Sequence, residues 1–199
     1  MKQKIRLSIL FGLISAILLS VANFNVLCDD LRQNILRLHI VANSDSNDDQ
    51  ALKLKIRDEI LAETDNLFLN ITDIDDAKKQ IGNNLAVFEE IANRKIEQEG
   101  FSYTAKAYLD ESYFDTRIYD DFTLPAGYYP SLIIKLGKAE GQNWWCVVFP
   151  TVCIPAAAKG DLTDSVKNES ASVAKESERY VMRFKTVEIY ERIKKFVKQ

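Results

Sequence analysis

The chain has 199 residues, 47% of them hydrophobic and 28% charged, with seven glycines and four prolines. That composition excludes a disordered or collagen-like chain and fits one folded domain with a substantial core. The net charge of −3 is unevenly spread: residues 29–173 carry 15 basic and 25 acidic side chains, residues 174–199 eight basic and four acidic. An acidic body of this kind argues against nucleic acid, whose backbone requires clustered Lys and Arg.

The first 28 residues carry Lys2, Lys4 and Arg6 and no acid. Leu7–Val21 then runs almost unbroken as apolar sequence, and Ser20 and Ala22 stand at −3 and −1 of a signal-peptidase cut before Asn23. A basic start, an apolar middle and a small-residue exit predict an export signal. Two outcomes stand open. One is a cleaved signal peptide, favoured because a spanning helix needs about 20 apolar residues; the other is an uncleaved anchor. Leu27 before Cys28 does not suit a lipidated cysteine. Either way the rest of the chain is expected outside the cytoplasm.

Leu36–Ala42 reads as a core strand covered on both faces. Asn43, Ser44, Asp45 and Ser46 form a cluster of turn and cap residues. A helix opens at Ser46 or Asp48 and runs to about residue 63, with Leu52, Ile56 and Ile60 on one stripe. A second helix is predicted over 74–98 on the stripe Ile74, Ala77, Ile81, Leu85, Phe88, Ala92 and Ile96, stopped by Gly100. The period then changes to two. Strands are expected over 102–109 and 115–123, with Asp110, Glu111 and Ser112 as the turn between them. Two more are expected over 132–136 and 144–149, joined as a hairpin through 137–142.

Residues 155–172 are small and polar and read as a flexible linker. From about Ser177 a basic amphipathic helix is expected, with Val181, Phe184 or Val187, Ile189, Ile193 and Phe196 as its apolar stripe, docking on the body. The elements add up to an α+β fold: two layers, a mostly antiparallel sheet, helices mainly on one face and a C-terminal helix. The expected organisation is a signal peptide or short anchor over 1–22, an α+β domain over 23–154, a linker over 155–176 and the basic helix over 177–199.

Cys146 and Cys153 sit in an apolar, β-prone segment turned by Pro150. Outside the cytoplasm such a pair can stay oxidised. A structural disulfide is the favoured reading, and closing so short a loop stabilises by about 2–3 kcal/mol. Two buried thiols come second. A redox pair is third, because the spacing is not C-x-x-C.

Catalytic equipment is sparse. His39 is the only histidine, and it lies mid-strand, where packing or a buried hydrogen bond is its simplest role. The sequence holds no phosphate-binding glycine loop, no dinucleotide fingerprint, no H-E-x-x-H and no G-x-S-x-G. Asp45, Asp48 and Asp49 lack the pattern of a calcium loop and suit a helix N-terminus instead. Asp75-Asp76 and Glu89-Glu90 read as solvated helix faces. No metal or cofactor is expected.

Two stretches are more particular than generic core: residues 36–58, LRLHIVANSDSNDDQALKLKIRD, and residues 141–153, GQNWWCVVFPTVC. Together, and in their order along the chain, they resemble the stage II sporulation protein R family of endospore-forming bacteria. Arg183, Phe184, Lys185 and Glu188 look similar too. The resemblance implies an exported forespore protein acting between two membranes. It would activate a membrane-embedded aspartic protease, which then matures pro-sigma-E in the mother cell. Such a protein is a ligand, not an enzyme.

The candidate partner-contacting residues are His39, Asn43, Ser44, Asp45 and Gln50 at the strand end. Weaker candidates are Arg57 and Asp58, and one of Trp144 and Trp145, which point to opposite faces of a strand. A purely structural role stands beside each. The membrane would be touched by the N-terminal segment and by the basic C-terminal helix. Two competing readings are a secreted hydrolase acting on cell wall or peptide through His39, and a membrane-held structural protein.

Overall fold

Six residues, Leu36–Val41, form β1, and their alternation decides the layout. Leu36, Leu38 and Ile40 point to one face and are fully buried, while Arg37, His39 and Val41 point to the other. The computed structural model describes residues 2–68, 71–119, 122–150 and 166–197. Helix α1 (Lys2–Asn34) precedes β1; α2 (Asn47–Phe68), α3 (Ile74–Asn83) and α4 (Leu85–Gln98) follow it. Then come β2 (Ala105–Phe114), β3 (Arg117–Ile118), β4 (Thr123–Leu124), β5 (Gly127–Leu136), β6 (Asn143–Phe149), α5 (Asn168–Lys175) and α6 (Ser177–Val197). The fold is α+β, as expected.

The chain forms two compact units. One holds residues 33–114 and 128–166, the other residues 1–32, 115–127 and 167–199. The first is built on a four-stranded sheet of order β2-β5-β1-β6. Its α2, α3 and α4 bury Leu52, Ile56, Ile60, Ala77, Ile81, Phe88, Ala92 and Ile96 against Leu36, Leu38, Ile40, Leu132, Ile134 and Cys146. This is the two-layer core with helices on one face.

The sheet differs from expectation in its middle. β5 and β6 are not hairpin neighbours; β1 lies between them, parallel to β5 and antiparallel to β6. The sheet is therefore mixed, and the connection over 137–142 passes across the end of β1, two strand spacings or roughly 10 Å. Alternation specifies which face a residue takes but not which strand lies beside it.

Three other boundaries moved. The predicted helix over 74–98 breaks at Asn84, whose side chain donates to Gln80 O at 2.8 Å and competes for a helical carbonyl. Gly100, at φ 80°, ends α4 as expected, with Phe101 N–H reaching Ile96 O at 3.0 Å. β2 runs straight through the expected turn at Asp110, Glu111 and Ser112, because Ser112 and Phe114 keep the period of two and are buried. In place of the single strand expected over 115–123, the described residues form two short ones, β3 and β4, paired antiparallel with Ile118 opposite Thr123.

The second unit is built around the C-terminal half of α1. Phe24 and Cys28 pack with Val173 of α5 and Phe184 and Val187 of α6. Phe24 lies edge-on to Phe184 at 5.3 Å. Arg32 is buried here, donating to Ala126 O at 2.9 Å and pairing with Asp29 at 2.6 Å. The N-terminal half of α1 is exposed apolar surface, including Leu7, Leu10, Phe11, Leu13 and Leu18. α1 is long and apolar enough to cross a membrane, and it fits a signal sequence or an anchor. The linker expected over 155–176 lies outside the described residues up to 165, and its last part is α5. The stripe expected on α6 is divided: Phe184 and Val187 face inward, whereas Val181, Ile189, Ile193 and Phe196 are exposed.

Candidate functional site

The two particular sequence blocks are one another's structural partners. Where β1 ends, Ala42 O accepts Gly141 N–H at 2.9 Å and Asn43 O accepts Glu140 N–H at 3.2 Å. Asn43 Oδ1 accepts Lys138 N–H at 3.0 Å, and Asp45 Oδ1 accepts Gln142 N–H at 2.7 Å. Gln50 donates to Ser44 O at 2.8 Å. Buried Lys53 donates to Gln50 Oε1 at 2.6 Å and to Gln142 O at 3.0 Å. A Cβ on Gly141 would stand 2.2 Å from Ser44 O, so the two segments approach this closely only with glycine there.

Asp49 is the centre of this seam, and sequence reasoning assigned it only to a helix start. It does have that role: Ser46 caps α2 by accepting Asp49 N–H at 3.2 Å. But its carboxylate is buried and accepts from Ser44 Oγ at 2.5 Å, Asn43 Nδ2 at 2.9 Å and Tyr103 OH at 2.5 Å. Burial pushes this carboxyl up, and the hydrogen bonds from Ser44, Tyr103, Asn43 and Ser46 outweigh it and hold the carboxyl below its ordinary value. Burial and the Asp49 charge raise the Tyr103 hydroxyl well above its usual range. One signal was available: Asp49 falls three residues before Leu52, on the buried stripe of α2. A carboxylate on such a stripe requires donors.

Asn43, Ser44, Asp45 and Gln50 therefore each spend hydrogen bonds inside the unit. Arg57 lies over the Trp144 ring at 4.4 Å and pairs with Asp58 at 2.6 Å. That joins three expected site residues and covers the Trp that faces the helix layer.

Trp145 takes the other face, beside His39 at 6.1 Å between ring centroids. His39 Nε2 is 2.8 Å from Asn143 Oδ1 and Nδ1 is 3.2 Å from Ser112 Oγ. A neutral ring protonated at Nε2 satisfies both, donating to Asn143 and accepting from the Ser112 hydroxyl. Burial lowers the His39 pKa from 6.5; the Asn143 bond opposes this, and the charges of Lys135 and Arg37 reinforce it. Deeper on this face, Arg37 is fully buried with its guanidinium 3.8 Å from the Phe114 ring centre. Toward the seam the face opens: Asn143 and Lys135 are exposed, and His39 and Trp145 are half-buried.

The candidate site is this open sheet end, carrying His39, Asn143 and Trp145. Sequence reasoning did not single out Asn143 or Ser112. Cys146 is buried on β6, and Cys153 lies outside the described residues, as does the pairing expected between them. Among the described residues no cluster of three His, Cys, Asp or Glu side chains could hold a metal ion.

Comparison with known proteins agrees with the two blocks. The family model described as stage II sporulation protein R matches residues 32–159. That stretch contains nearly all of the sheet-bearing unit; Arg183, Phe184, Lys185 and Glu188 lie beyond it. Stage II sporulation protein R of Bacillus subtilis (strain 168) is 36% identical over 137 residues, covering 69% of this chain and 61% of that relative's length. No solved structure matches the chain. With the family's model covering well over half of its length and both blocks inside the match, the chain belongs to the stage II sporulation protein R family.

Proposed function

We propose that this protein is an exported sporulation signal. It leaves the forespore through its N-terminal apolar segment and acts in the space between the two membranes. There it binds the extracytoplasmic part of a membrane-embedded aspartic protease and favours the active state. The protease then cleaves the pro-sequence of pro-sigma-E in the mother cell. Activation of this kind requires the ligand to bind one protease state better than another. The observation that carries the reading is the convergence of the two blocks on one sheet end where His39, Asn143 and Trp145 remain accessible. Asn43, Ser44, Asp45 and Gln50 shape that end from within, and Arg57, Asp58 and Trp144 brace it from the helix side. In this reading Cys146 and Cys153 form a disulfide that holds the end of β6, and no cofactor takes part.

The hydrolase alternative has one observation in its favour, the chain Ser112–His39–Asn143. A nucleophile hydrogen-bonded to a histidine has the form of an acyl-transfer site. Ser112 is only 9% exposed, however, so its hydroxyl meets packed side chains instead of a substrate carbonyl. Ser112→Ala separates the readings: it abolishes turnover if the chain is a hydrolase and leaves activation standing if it is a ligand.

The test is co-expression of this chain with the protease and pro-sigma-E in a non-sporulating bacterium, followed by immunoblotting for pro-sigma-E size. Cleavage only when the chain is present and exported is the expected result. No cleavage, with the chain exported and folded and the protease competent with a known activator, overturns the proposal.

A further inference from the structure

Helix α1 runs from Lys2 to Asn34 as one element, yet its two halves meet different surroundings. In the first half Ile5, Ile9, Leu10, Phe11, Leu13 and Leu19 are each more than half exposed. At 100° per residue these six point to every side of the helix. An exposed helix that is apolar all round suits a bilayer; a seam for one other helix would leave its remaining sides in water. From residue 24 onward the same helix is core: Phe24, Cys28 and Leu31 are buried, the first two against Val173, Phe184 and Val187. Between the halves, Ser20, Val21 and Phe24 line a small cleft with Arg183, Thr186 and Val187 of α6.

We infer that α1 is retained after export as a membrane anchor. Its first half crosses the bilayer, and its second half enters the folded unit of α1, α5 and α6 without a break, so that unit stands on the outer bilayer surface with no linker. The stretch over 5–21 rises about 25 Å. Local thinning of the bilayer and snorkelling of Arg6 accommodate the difference from a hydrocarbon core of roughly 30 Å. Lys2, Lys4 and Arg6 hold the start of the helix on the cytoplasmic side.

Ser20 and Ala22 have the side chains of a signal-peptidase site, but the backbone there does not have its shape. A scissile bond must be presented in extended chain, and the bond between Ala22 and Asn23 lies in the middle of α1. No glycine or proline occurs from residue 13 to residue 34 to end the helix before the cut. Asn25 Nδ2 also donates to Val21 O at 3.1 Å, across that bond. A cut would orphan the first four N–H groups of the remaining helix. It would also place a new ammonium at the positive end of the helix dipole. That charge would sit beside Phe24, over whose ring the Arg183 guanidinium lies at 5.8 Å. The inference stands apart from the activator reading, since it concerns how the chain is held and not what the sheet end meets.

The test produces the full chain in a non-sporulating bacterium and measures the intact mass of the protein in the membrane fraction. The expected mass includes residues 1–22. The protein should resist extraction by alkaline carbonate, and protease added to spheroplasts should digest its body from outside. A mass that begins at Asn23, release into carbonate or the medium, or a body protected from external protease overturns the inference. Val21→Pro breaks the helix at the site and should raise the fraction of chain that begins at Asn23 by about tenfold or more. If that variant is cut no more than wild type, helix continuity does not retain the anchor and the inference falls. None of these readouts involves pro-sigma-E.

Discussion

Along β1, neighbouring residues meet two different environments. Leu36, Leu38 and Ile40 enter a dry layer closed by α2, α3 and α4. Arg37, His39 and Val41 enter a face that grades from a buried guanidinium on Phe114 to an accessible histidine beside Asn143 and Trp145. The helix layer needs only volume and apolarity, which many sequences supply. The second face needs particular donors and acceptors, and the seam beside it needs a glycine, a carboxylate and their partners in register. That difference explains why the motif blocks are so particular: most of their polar residues hold the sheet end in shape, and under the proposed function the few that stay accessible are the ones a partner would meet.

The contrast can be broken most forcefully from the helix side. Ile40→Ala removes a fully buried side chain and should cost about 2–5 kcal/mol in denaturant unfolding, with activation lost only as the fold is lost. Asp49→Ala comes next. It strands the donors of Asn43, Ser44 and Tyr103 and should cost about 2–3 kcal/mol, measured in the same way. Because its carboxyl is held below 3.8 in the fold, the stability it contributes is present at neutral pH and fades only as pH falls through its folded value. Gly141→Ala drives a methyl into Ser44 O and should cost about 1–3 kcal/mol; a melting temperature equal to wild type would show that the blocks do not meet so closely.

The smallest effect is one of pH. His39 takes a proton less readily folded than unfolded. Below 6.5 the unfolded chain binds the proton first, so stability falls as pH drops from 6.5 toward the folded value. His39→Gln should flatten that part of the stability profile; an unchanged profile would mean another group is responsible.

Much of the fold is legible in the residues. The four-residue recurrence of Leu52, Ile56 and Ile60, the cap at Ser46 and the stop at Gly100 all specify helices locally. The insertion of β1 between β5 and β6 is not legible, because the hydrogen bonds that choose neighbours come from backbone, which every sequence shares. At the site, His39 and Trp145 stand out by residue type. Asn143 and Ser112 do not, since each gains meaning only from a histidine 104 or 73 positions away. Tyr103 is likewise an ordinary strand aromatic until Asp49, 54 positions away, accepts its hydroxyl.

The most direct measurement sets activation against stability for the open sheet end. Trp145→Ala and Asn143→Ala would each be assayed for pro-sigma-E cleavage and for thermal unfolding. The account predicts that cleavage is lost in both, while the melting temperature stays within a few degrees of wild type for exposed Asn143→Ala and falls further, without loss of folding at the assay temperature, for half-buried Trp145→Ala. Full cleavage by both folded variants, or loss of cleavage only in step with loss of folding, would contradict it and leave this face a structural one.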